Sequence, residues 1–478
     1  MIDRSKFLKT ISLLVACAWL QGCSINLDYE FGDNSRQNVD LIATGDYLVS
    51  MAKGDNVIED GAIAVRDGSI VATGTRAHIE KHYVADETLS GEGRILMPGL
   101  INGHSHAAMT LLRGVADDLP LQQWLEEYIF PAEVRFVDAE FVRVGTELAC
   151  WEMIRGGTTT FVDMYYFPDQ VAAVVERCGM RAIVVPSVID QVAPDATNAE
   201  QSLAQAIDFA KRWKNRHPRI YPSIGGHAIY TLSPATLKKL RAAALEHEVP
   251  VGIHLAESPW EVSFAQQSYQ QTPVQYLASL GFFDNKVIGA HVIYVNAEDQ
   301  KILAGHGVGA IHNPSSNMKI SSGIAPVAEM LNAGIQVGLG TDGAASNNDL
   351  DMWEEIRLAS FLQKVDLMEP EAIPALTALE LATRRGAEAI GLEGQIGTLK
   401  VGQRADFIQV AIDELTARPL YDPISHLAYV ADEHDVVNVV IDGQIVMRDK
   451  EILTIDEAAL REKVAKFEEL IRQSLNEK

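Results

Sequence analysis

The stretch LMPGLINGHSHAAM, residues 96 to 109, is an apolar run that ends in two histidines, His104 and His106. An apolar run of this length is typical of a buried strand. Side chains alternate along a strand, so residues i and i+2 point to the same side and can bind one ion. Two imidazoles on a half-buried strand would show the same pattern. The stretch by itself leaves both interpretations open.

The chain around this stretch alternates short apolar runs with helical segments. The first run is RILMPGLIN (94–102), and seven others follow it: TTTFVDMYY (158–166), RAIVVPSVID (181–190), RIYPSIGG (219–226), VPVGIHLAE (249–257), KVIGAHVIY (286–294), GVGAIHNPS (307–315) and IQVGLGTDG (335–343). Eight buried-type strands separated by helices predict an α/β fold, a (β/α)₈ TIM barrel. A doubly wound open sheet is the alternative, but no GxGxxG or GxxxxGK[ST] motif follows any of these runs.

Polar residues stand where the predicted strands end. These are His104 and His106 on the first strand, His227 on the fourth, His254 with Glu257 on the fifth, His291 on the sixth, His312 on the seventh and Asp342 on the eighth. Reactive residues of barrel enzymes lie at these carboxyl ends. A lone histidine there is usually structural, whereas six with an aspartate indicate a site that the fold assembles.

Two β-rich segments flank the predicted barrel. Asp67-Gly68 and Asp442-Gly443 each stand between apolar runs, which is a strong hairpin signal. We expect one small β-sandwich domain built from residues 40–97 and 391–450, around a barrel of residues 98–390. Apolar residues at helical spacing between Ile455 and Leu475 predict a terminal helix in residues 451–478.

The first 22 residues have the pattern of a secretory signal. Three basic residues precede the run ISLLVACAWL, which is too short to span a bilayer. It ends in Leu20-Gln21-Gly22-Cys23, which resembles a bacterial lipobox. We expect a signal peptide over residues 1–22, lipidation and a membrane tether at Cys23, and a polar linker over 23–39. The protein would then be exported and periplasm-facing. A fortuitous apolar N-terminus, with a cytoplasmic protein, is the alternative.

Composition excludes several classes of protein. The formal net charge is −25, and so acidic a surface repels phosphate backbones, which argues against a nucleic-acid partner. The four cysteines form no CxxC pair, so neither a disulfide framework nor a thiolate zinc site is indicated.

Four motifs, LMPGLINGHSHAAM, HLAES, IGAHVIY and GLGTDGAASNNDLDM, carry a family resemblance. The chain resembles the amidohydrolase superfamily from about residue 40 to 450. It is most similar to the cytosine-deaminase-like branch, which contains the 5′-methylthioadenosine/S-adenosylhomocysteine deaminases and the triazine hydrolases. The resemblance implies a distorted TIM barrel with a flanking β-sandwich.

The resemblance also implies residue roles. His104, His106, His254 and Asp342 would bind one divalent metal per subunit, usually Zn²⁺ in this branch, although Fe²⁺ or Mn²⁺ suit the same ligands. Glu257 matches the residue that moves a proton from the attacking water to the substrate ring, and His291 the residue that holds the attacking oxygen. Asp342 would accept the second proton. No family role matches His312, which we expect to be structural or to line the pocket.

Two further matches concern the substrate, a small purine nucleoside. Glu133, in the long connection after the first strand, matches a glutamate that binds ribose hydroxyls. His227 matches a histidine that bonds the purine ring, although Gly226 and Ile229 depart from the family motif. Branch members that use S-adenosylhomocysteine hold its carboxylate with arginines after strand three, and residues 183–200 contain none. We therefore expect a neutral-tailed substrate.

The leading hypothesis is a metal-dependent hydrolytic deaminase of 6-aminopurine nucleosides, of the 5′-methylthioadenosine or adenosine type. One alternative is another enzyme of the branch, a guanine or pterin deaminase or an s-triazine chlorohydrolase. The other is a lipid-anchored binding protein on an inactive scaffold. The oligomeric state, including a homo-oligomer, stays open.

The lipobox hypothesis predicts that Cys23→Ala prevents anchoring. Cells given a labelled fatty acid should label the parent chain and not the variant, because the thiol that carries the lipid is gone. Cys178→Ala serves as the matched control and should keep the label. An unlabelled parent chain in the soluble fraction would contradict the hypothesis.

Overall fold

Gly99 divides the first predicted run between two sheets in the computed structural model, which describes residues 36–476. Strand β5 (Arg94–Pro98) belongs to one sheet and β6 (Leu100–Ser105) to the other. A Cβ on Gly99 would lie 2.1 Å from Cγ2 of Thr159, so the crossing admits no side chain. The prediction that RILMPGLIN is a single barrel strand is therefore wrong. The predicted signal segment and Cys23 lie outside the described residues, and their roles stay predictions.

The barrel sheet confirms the predicted fold class. Its strands, in addition to β6, are β7 (Thr158–Tyr165), β8 (Arg181–Val188), β9 (Ile220–Pro222), β10 (Ile224–Gly226), β11 (Val251–Leu255), β12 (Val287–His291), β13 (Gly309–His312) and β14 (Gln336–Leu339). They pair in parallel in the order β14-β13-β12-β11-β10-β8-β7-β6, with β9 on β8. The run RIYPSIGG thus supplies two short strands, β9 and β10, where one was predicted.

Side chains and backbone beyond β14 close the barrel against β6. The Asn102 amide donates to Thr341 Oγ1 over 2.7 Å, and its Oδ1 accepts from the Thr341 N–H over 3.1 Å. The Asp342 N–H donates to the His104 carbonyl over 3.0 Å. This junction brings the ends of the first and eighth barrel strands together, so that His104 and Asp342 become neighbours.

Helices connect the strands and cover the barrel. They are Arg76–His82, Leu121–Gln123, the π-helix Trp124–Ile129, Phe130–Phe136, Ala139–Arg155, Pro168–Cys178, Ala199–Trp213, Pro234–His247, Pro259–Tyr269, Pro273–Ser279, Ala297–His306, Pro314–Lys319, Val327–Asn332, Met352–Leu367, Ala375–Leu381, Arg384–Ile390, Pro423–Tyr429 and Glu457–Asn476. Within residues 36–476, none of them has both the length and the apolar character needed to cross a membrane. The last one is the predicted terminal helix, and its Phe467 ring packs edge-on against Phe141.

The two predicted β-rich segments form one terminal sheet. Its strands, in addition to β5, are β1 (Gln37–Ala52), β2 (Asp55–Arg66), β3 (Ser69–Thr75), β4 (Tyr83–Leu89), β15 (Phe407–Ala411), β16 (Val436–Ile441), β17 (Gln444–Arg448) and β18 (Glu451–Ile452). The two halves join where β5 pairs antiparallel with β15. At both predicted turns, Asp67-Gly68 and Asp442-Gly443, the Asp and the Gly have positive φ angles. This is the geometry of a type I′ hairpin turn.

A buried ion pair links the barrel to the terminal sheet. Arg181, at the start of β8, donates from Nε to Asp406 Oδ2 over 2.7 Å and from Nη2 to Asp406 Oδ1 over 3.0 Å. Both side chains are almost fully buried. A buried charge that loses its partner costs much more than an exposed one, because neither water nor protein then compensates it.

Asp406→Ala should therefore lower the free energy of unfolding by about 3–5 kcal/mol, since it leaves Arg181 buried with its main partner removed. Denaturant titration followed by tryptophan fluorescence measures the change. Arg461→Ala, which breaks the exposed Arg461–Glu457 pair, is the control and should cost less than about 1 kcal/mol. An equal loss of unfolding free energy in the two variants would contradict the proposed role of the buried Arg181–Asp406 ion pair.

Candidate active site

The four predicted metal ligands meet at the carboxyl ends of the barrel strands. Nε2 of His104 lies 3.3 Å and Nε2 of His106 lies 3.1 Å from Oδ1 of Asp342. Nε2 of His254 lies 3.3 Å from Nε2 of His106. Strands β6 and β11 and the turn after β14 thus direct three imidazoles and one carboxylate to a single point.

Hydrogen bonds outside this point orient the ligands. Nδ1 of His106 donates to the Met164 carbonyl over 2.5 Å, and Nδ1 of His254 donates to the His227 carbonyl over 2.8 Å. In its neutral form, each ring therefore carries its hydrogen on Nδ1 and turns the Nε2 lone pair inward. Backbone acceptors of this kind are the usual partners of metal-binding histidines.

The donor set fits a divalent cation. Nε2 of His104 is buried and has no hydrogen-bond partner, and the inward lone pairs of His106 and His254 face each other. Such an arrangement is repulsive unless a positive charge lies between the nitrogens. Three imidazole nitrogens and a carboxylate oxygen are ligands that zinc prefers. His291 extends the set, because ligand atoms of His104, His291 and Asp342 also lie within 4.8 Å of one another.

Burial keeps two of the imidazoles neutral. It lowers the pKa of His254 well below its usual value, and the neighbouring His227 lowers this pKa further. Burial also lowers the pKa of His104 to about 4. At His106 burial lowers the pKa too, but the hydrogen bond with Asp342 and the charge of that carboxylate outweigh burial and raise the pKa to about 9, so a metal that binds there displaces a proton. Neutral imidazole is the form that binds metal.

Glu257 and His291 stand beside the cluster. Oε1 of Glu257 lies 3.8 Å from Nε2 of His291. Burial raises the pKa of Glu257, while the nearby His291 lowers it by a smaller amount. Ala256, His291 and Asp342 all have positive φ angles, a conformation that non-glycine residues adopt at a cost of about 1–3 kcal/mol. Two of these residues are strand-end groups of the cluster itself, and Ala256 immediately precedes Glu257.

Glu261 holds the turn that carries Glu257, and the sequence analysis missed it. Its carboxylate accepts the backbone N–H of Ala256 over 3.1 Å and of Glu257 over 2.8 Å. The Ser258 hydroxyl caps the following helix by accepting the Glu261 N–H. The sequence Ser258-Pro-Trp-Glu261 has the spacing of a capping box, which could have indicated this residue.

A cavity opens beside these groups, at the carboxyl ends of the barrel strands. Glu133 and His227 both line it, as does the predicted loop through Leu121, Trp124, Leu125, Ile129 and Phe130. Burial raises the pKa of Glu133 to about 7, and Tyr166 donates a weak hydrogen bond to its Oε2. Glu126 and Glu127 of the same loop are exposed.

His312 lies away from this cavity. It is buried at the end of β13, and its Nδ1 lies 3.4 Å from the amide nitrogen of Asn317. It is not among the residues that line the cavity. The other strand-end histidines and Asp342 either line the cavity or belong to the metal cluster. Within the described residues, His312 does neither.

An eight-stranded barrel that gathers imidazoles and a carboxylate at its strand ends is the architecture of a metal-dependent hydrolase. The model of the amidohydrolase family matches residues 95–446, and the chain belongs to this family. The chain is therefore a hydrolase.

Known proteins resemble the chain over nearly all of its length. It is 39% identical, over 92% of its length and 99% of the relative, to 5-methylthioadenosine/S-adenosylhomocysteine deaminase 1 of Syntrophus aciditrophicus. It is 47% identical, over 78% of its length and 85% of the relative, to the 5-methylthioadenosine/S-adenosylhomocysteine deaminase of Carboxydothermus hydrogenoformans. A crystal structure of an adenosine deaminase from Xanthomonas campestris with bound zinc superposes with a TM-score of 0.90, at 37% identity, covering 92% of this chain and 100% of that chain.

The geometry predicts that His254→Ala loses bound metal, because one of the convergent nitrogens is removed. Metal content after dialysis, measured by inductively coupled plasma mass spectrometry, gives the result. His312→Ala is the matched control, a buried strand-end histidine outside the cluster, and should retain the parent metal content. Equal metal in His254→Ala and the parent protein would contradict the assignment.

Proposed function

We propose that this protein hydrolyses the exocyclic C–N bond of a 6-aminopurine nucleoside, 5′-methylthioadenosine or adenosine, and releases ammonia. The observation that carries the proposal is one cavity that presents Glu257 beside the metal cluster and a second carboxylate, Glu133, on the loop that covers it. The first suits proton transfer and the second suits a vicinal diol. The names of the deaminase relatives support the same reaction.

The residues of the site have two kinds of role: some would bind the metal, and others transfer protons. His104, His106, His254 and Asp342 would hold the cation, which we propose is zinc, and a bound cation supplies a Lewis acid that makes a water molecule acidic. Glu257 takes a proton from the attacking water and delivers it to a ring nitrogen. His291 orients that water, and Asp342 accepts the second proton on behalf of the departing ammonia.

Glu133 and His227 orient the nucleoside. A carboxylate can accept two hydrogen bonds from a ribose diol, which a free base does not offer. Burial lowers the pKa of His227 to about 3, so its ring is neutral and can exchange one hydrogen bond with a purine nitrogen. Its Nδ1 lies 3.1 Å from the Thr231 hydroxyl, which orients the ring.

The cavity favours a substrate with an uncharged 5′ group. Among the described residues that line it there is no lysine or arginine. A substrate carboxylate held there would lack a positively charged partner, which costs free energy. This agrees with the absence of arginine from residues 183–200. We therefore propose a preference for the neutral nucleosides over S-adenosylhomocysteine.

Ammonia release by the zinc-loaded protein tests this function. 5′-Methylthioadenosine and adenosine should be turned over with kcat/KM roughly 10–100-fold above that for S-adenosylhomocysteine, the difference expected for one unpaired polar group. Glu257→Gln should lower kcat by roughly 10²–10⁴, as expected for loss of a general acid–base group. No ammonia from any purine nucleoside would contradict the proposal.

Glu133 should make selectivity for the diol depend on pH. Because the pKa of Glu133 is about 7, a falling pH protonates it and removes an acceptor, so selectivity is lost as the pH falls through about 7. The measurement is the ratio of kcat/KM for adenosine to kcat/KM for 2′,3′-dideoxyadenosine. Protonation of Glu257 changes both values alike, so it does not change their ratio. Glu133→Gln should lower this ratio by roughly 10–100-fold at pH 8 and flatten its profile.

Glu126→Gln, on the exposed part of the same loop, is the control and should keep the parent profile. A ratio that stays constant with pH in the parent protein would contradict the role of Glu133. It would then favour a free-base or triazine substrate.

A further inference from the structure

A short helix behind the cavity contacts two of the proposed catalytic groups. Helix Pro314–Lys319 follows β13, and its Ser316 and Asn317 are fully buried. Ser316 contacts Asp342 and Asn317 contacts His291. Two adjacent residues of one helical turn therefore bridge the ends of the sixth and eighth barrel strands.

Asn317 accepts a hydrogen bond from His291. Its Oδ1 lies 2.8 Å from Nδ1 of His291, and its Nδ2 lies 3.4 Å from Nδ1 of His312. The second contact orients the amide, because it places the nitrogen toward His312 and the oxygen toward His291. The Asn313 amide nitrogen is also near His291 Nδ1, at a longer 3.3 Å. The shorter bond favours a hydrogen on Nδ1 of His291.

A neutral imidazole carries one N–H, so this bond decides what the ring presents to the cavity. With the hydrogen on Nδ1, Nε2 of His291 keeps a lone pair that faces Oε1 of Glu257 at 3.8 Å. Two acceptors at that separation can both receive hydrogens of one water molecule. The Asn317 amide oxygen therefore selects the Nδ1–H form of the ring.

Ser316 orients the Asp342 carboxylate, as Asn317 orients the His291 ring. Its hydroxyl donates to Oδ2 of Asp342 over 2.7 Å, and the Ser346 hydroxyl donates to the same oxygen over 2.8 Å. Oδ1 of Asp342 is thereby left for His104 and His106, at the point where the metal ligands meet. The carboxylate is therefore oriented by its second oxygen.

The helix is itself held in place from outside the cavity. The Ser315 N–H donates over 3.1 Å to Glu355, a buried carboxylate that also accepts from the Asn347 amide. The Asn317 carbonyl accepts the Ser322 N–H over 2.8 Å, which fixes the end of the turn. Because hydrogen bonds fix both ends of the helix, the Ser316 and Asn317 side chains keep fixed positions relative to each other.

We propose that Ser316 and Asn317 are a positioning pair for the reaction. Asn317 holds the Nδ1–H form of His291, so that Nε2 accepts a hydrogen bond from the attacking water. Ser316 directs Oδ1 of Asp342 toward the metal ligands. The roles of His291 and Asp342 are those of the proposed function, on which this inference rests.

Three variants separate the two roles from a loss of folding. Asn317→Leu keeps the approximate shape and removes the acceptor, and Asn317→Asp restores an acceptor at the same place. Ser316→Ala removes one donor to Asp342. Asn438→Ala removes a buried amide that donates to Gln409 in the terminal sheet, far along the chain from the barrel strands, and is the control for stability.

The primary readout is the ¹⁵N spectrum of histidine-labelled protein, assigned with His291→Gln. In the zinc-loaded parent protein, Nδ1 of His291 should be the protonated nitrogen. Asn317→Leu should shift the hydrogen toward Nε2 and lower kcat by roughly 10–100-fold with little change in KM, and Asn317→Asp should restore Nδ1–H. Ser316→Ala should instead weaken zinc binding by roughly tenfold in competition with a chelator.

An unprotonated Nδ1 in the parent protein would overturn the role of Asn317. An unchanged zinc affinity in Ser316→Ala would overturn the role of Ser316. If Asn438→Ala, with a similar fall in Tm, lost as much kcat as Asn317→Leu, the effect would be one of stability and the inference would fail. The ¹⁵N measurement needs no turnover, so failure of the proposed function, with no ammonia released, is distinguishable from failure of this inference.

Discussion

The site depends on one electrostatic constraint, the convergence of the inward-facing lone pairs of His106 and His254 beside the buried Nε2 of His104. Backbone carbonyls accept the Nδ1 hydrogens of His106 and His254, so their Nε2 atoms face each other at 3.3 Å. A cation between them would be coordinated by both lone pairs. The carboxylate of Asp342 supplies the negative charge that such a cation requires. The roles that we propose for the other groups all concern a molecule placed beside this centre.

Two sets of contacts in the fold hold these side chains in position. Asn102 and Thr341 close the barrel between its first and last strands, and this junction carries His104 and Asp342. Arg181 clamps the barrel to the terminal sheet from the opposite strand ends. His291 and Asp342 have positive φ angles, and each side chain is held by a hydrogen bond with the helix Pro314–Lys319.

Features that depend on local sequence could be predicted, and those that depend on distant contacts could not. The Asp-Gly turns and the spacing of His104 and His106 are local, and the structure shows both as expected. The change of sheet at Gly99 is invisible in a continuous apolar run, because contact with Thr159 decides it. Asn317 was likewise missed, because its partner His291 lies 26 residues away. The family resemblance supplied roles for ligands and not for their supports.

We propose that this centre adds water to a 6-aminopurine nucleoside and releases ammonia. Turnover of 5′-methylthioadenosine in ¹⁸O-water, followed by mass spectrometry, tests it most directly. We expect one ¹⁸O atom in each product purine, one ammonia released for each, and no turnover by metal-stripped protein until zinc is restored. Product without ¹⁸O, or full activity in protein shown to be free of metal, would contradict it.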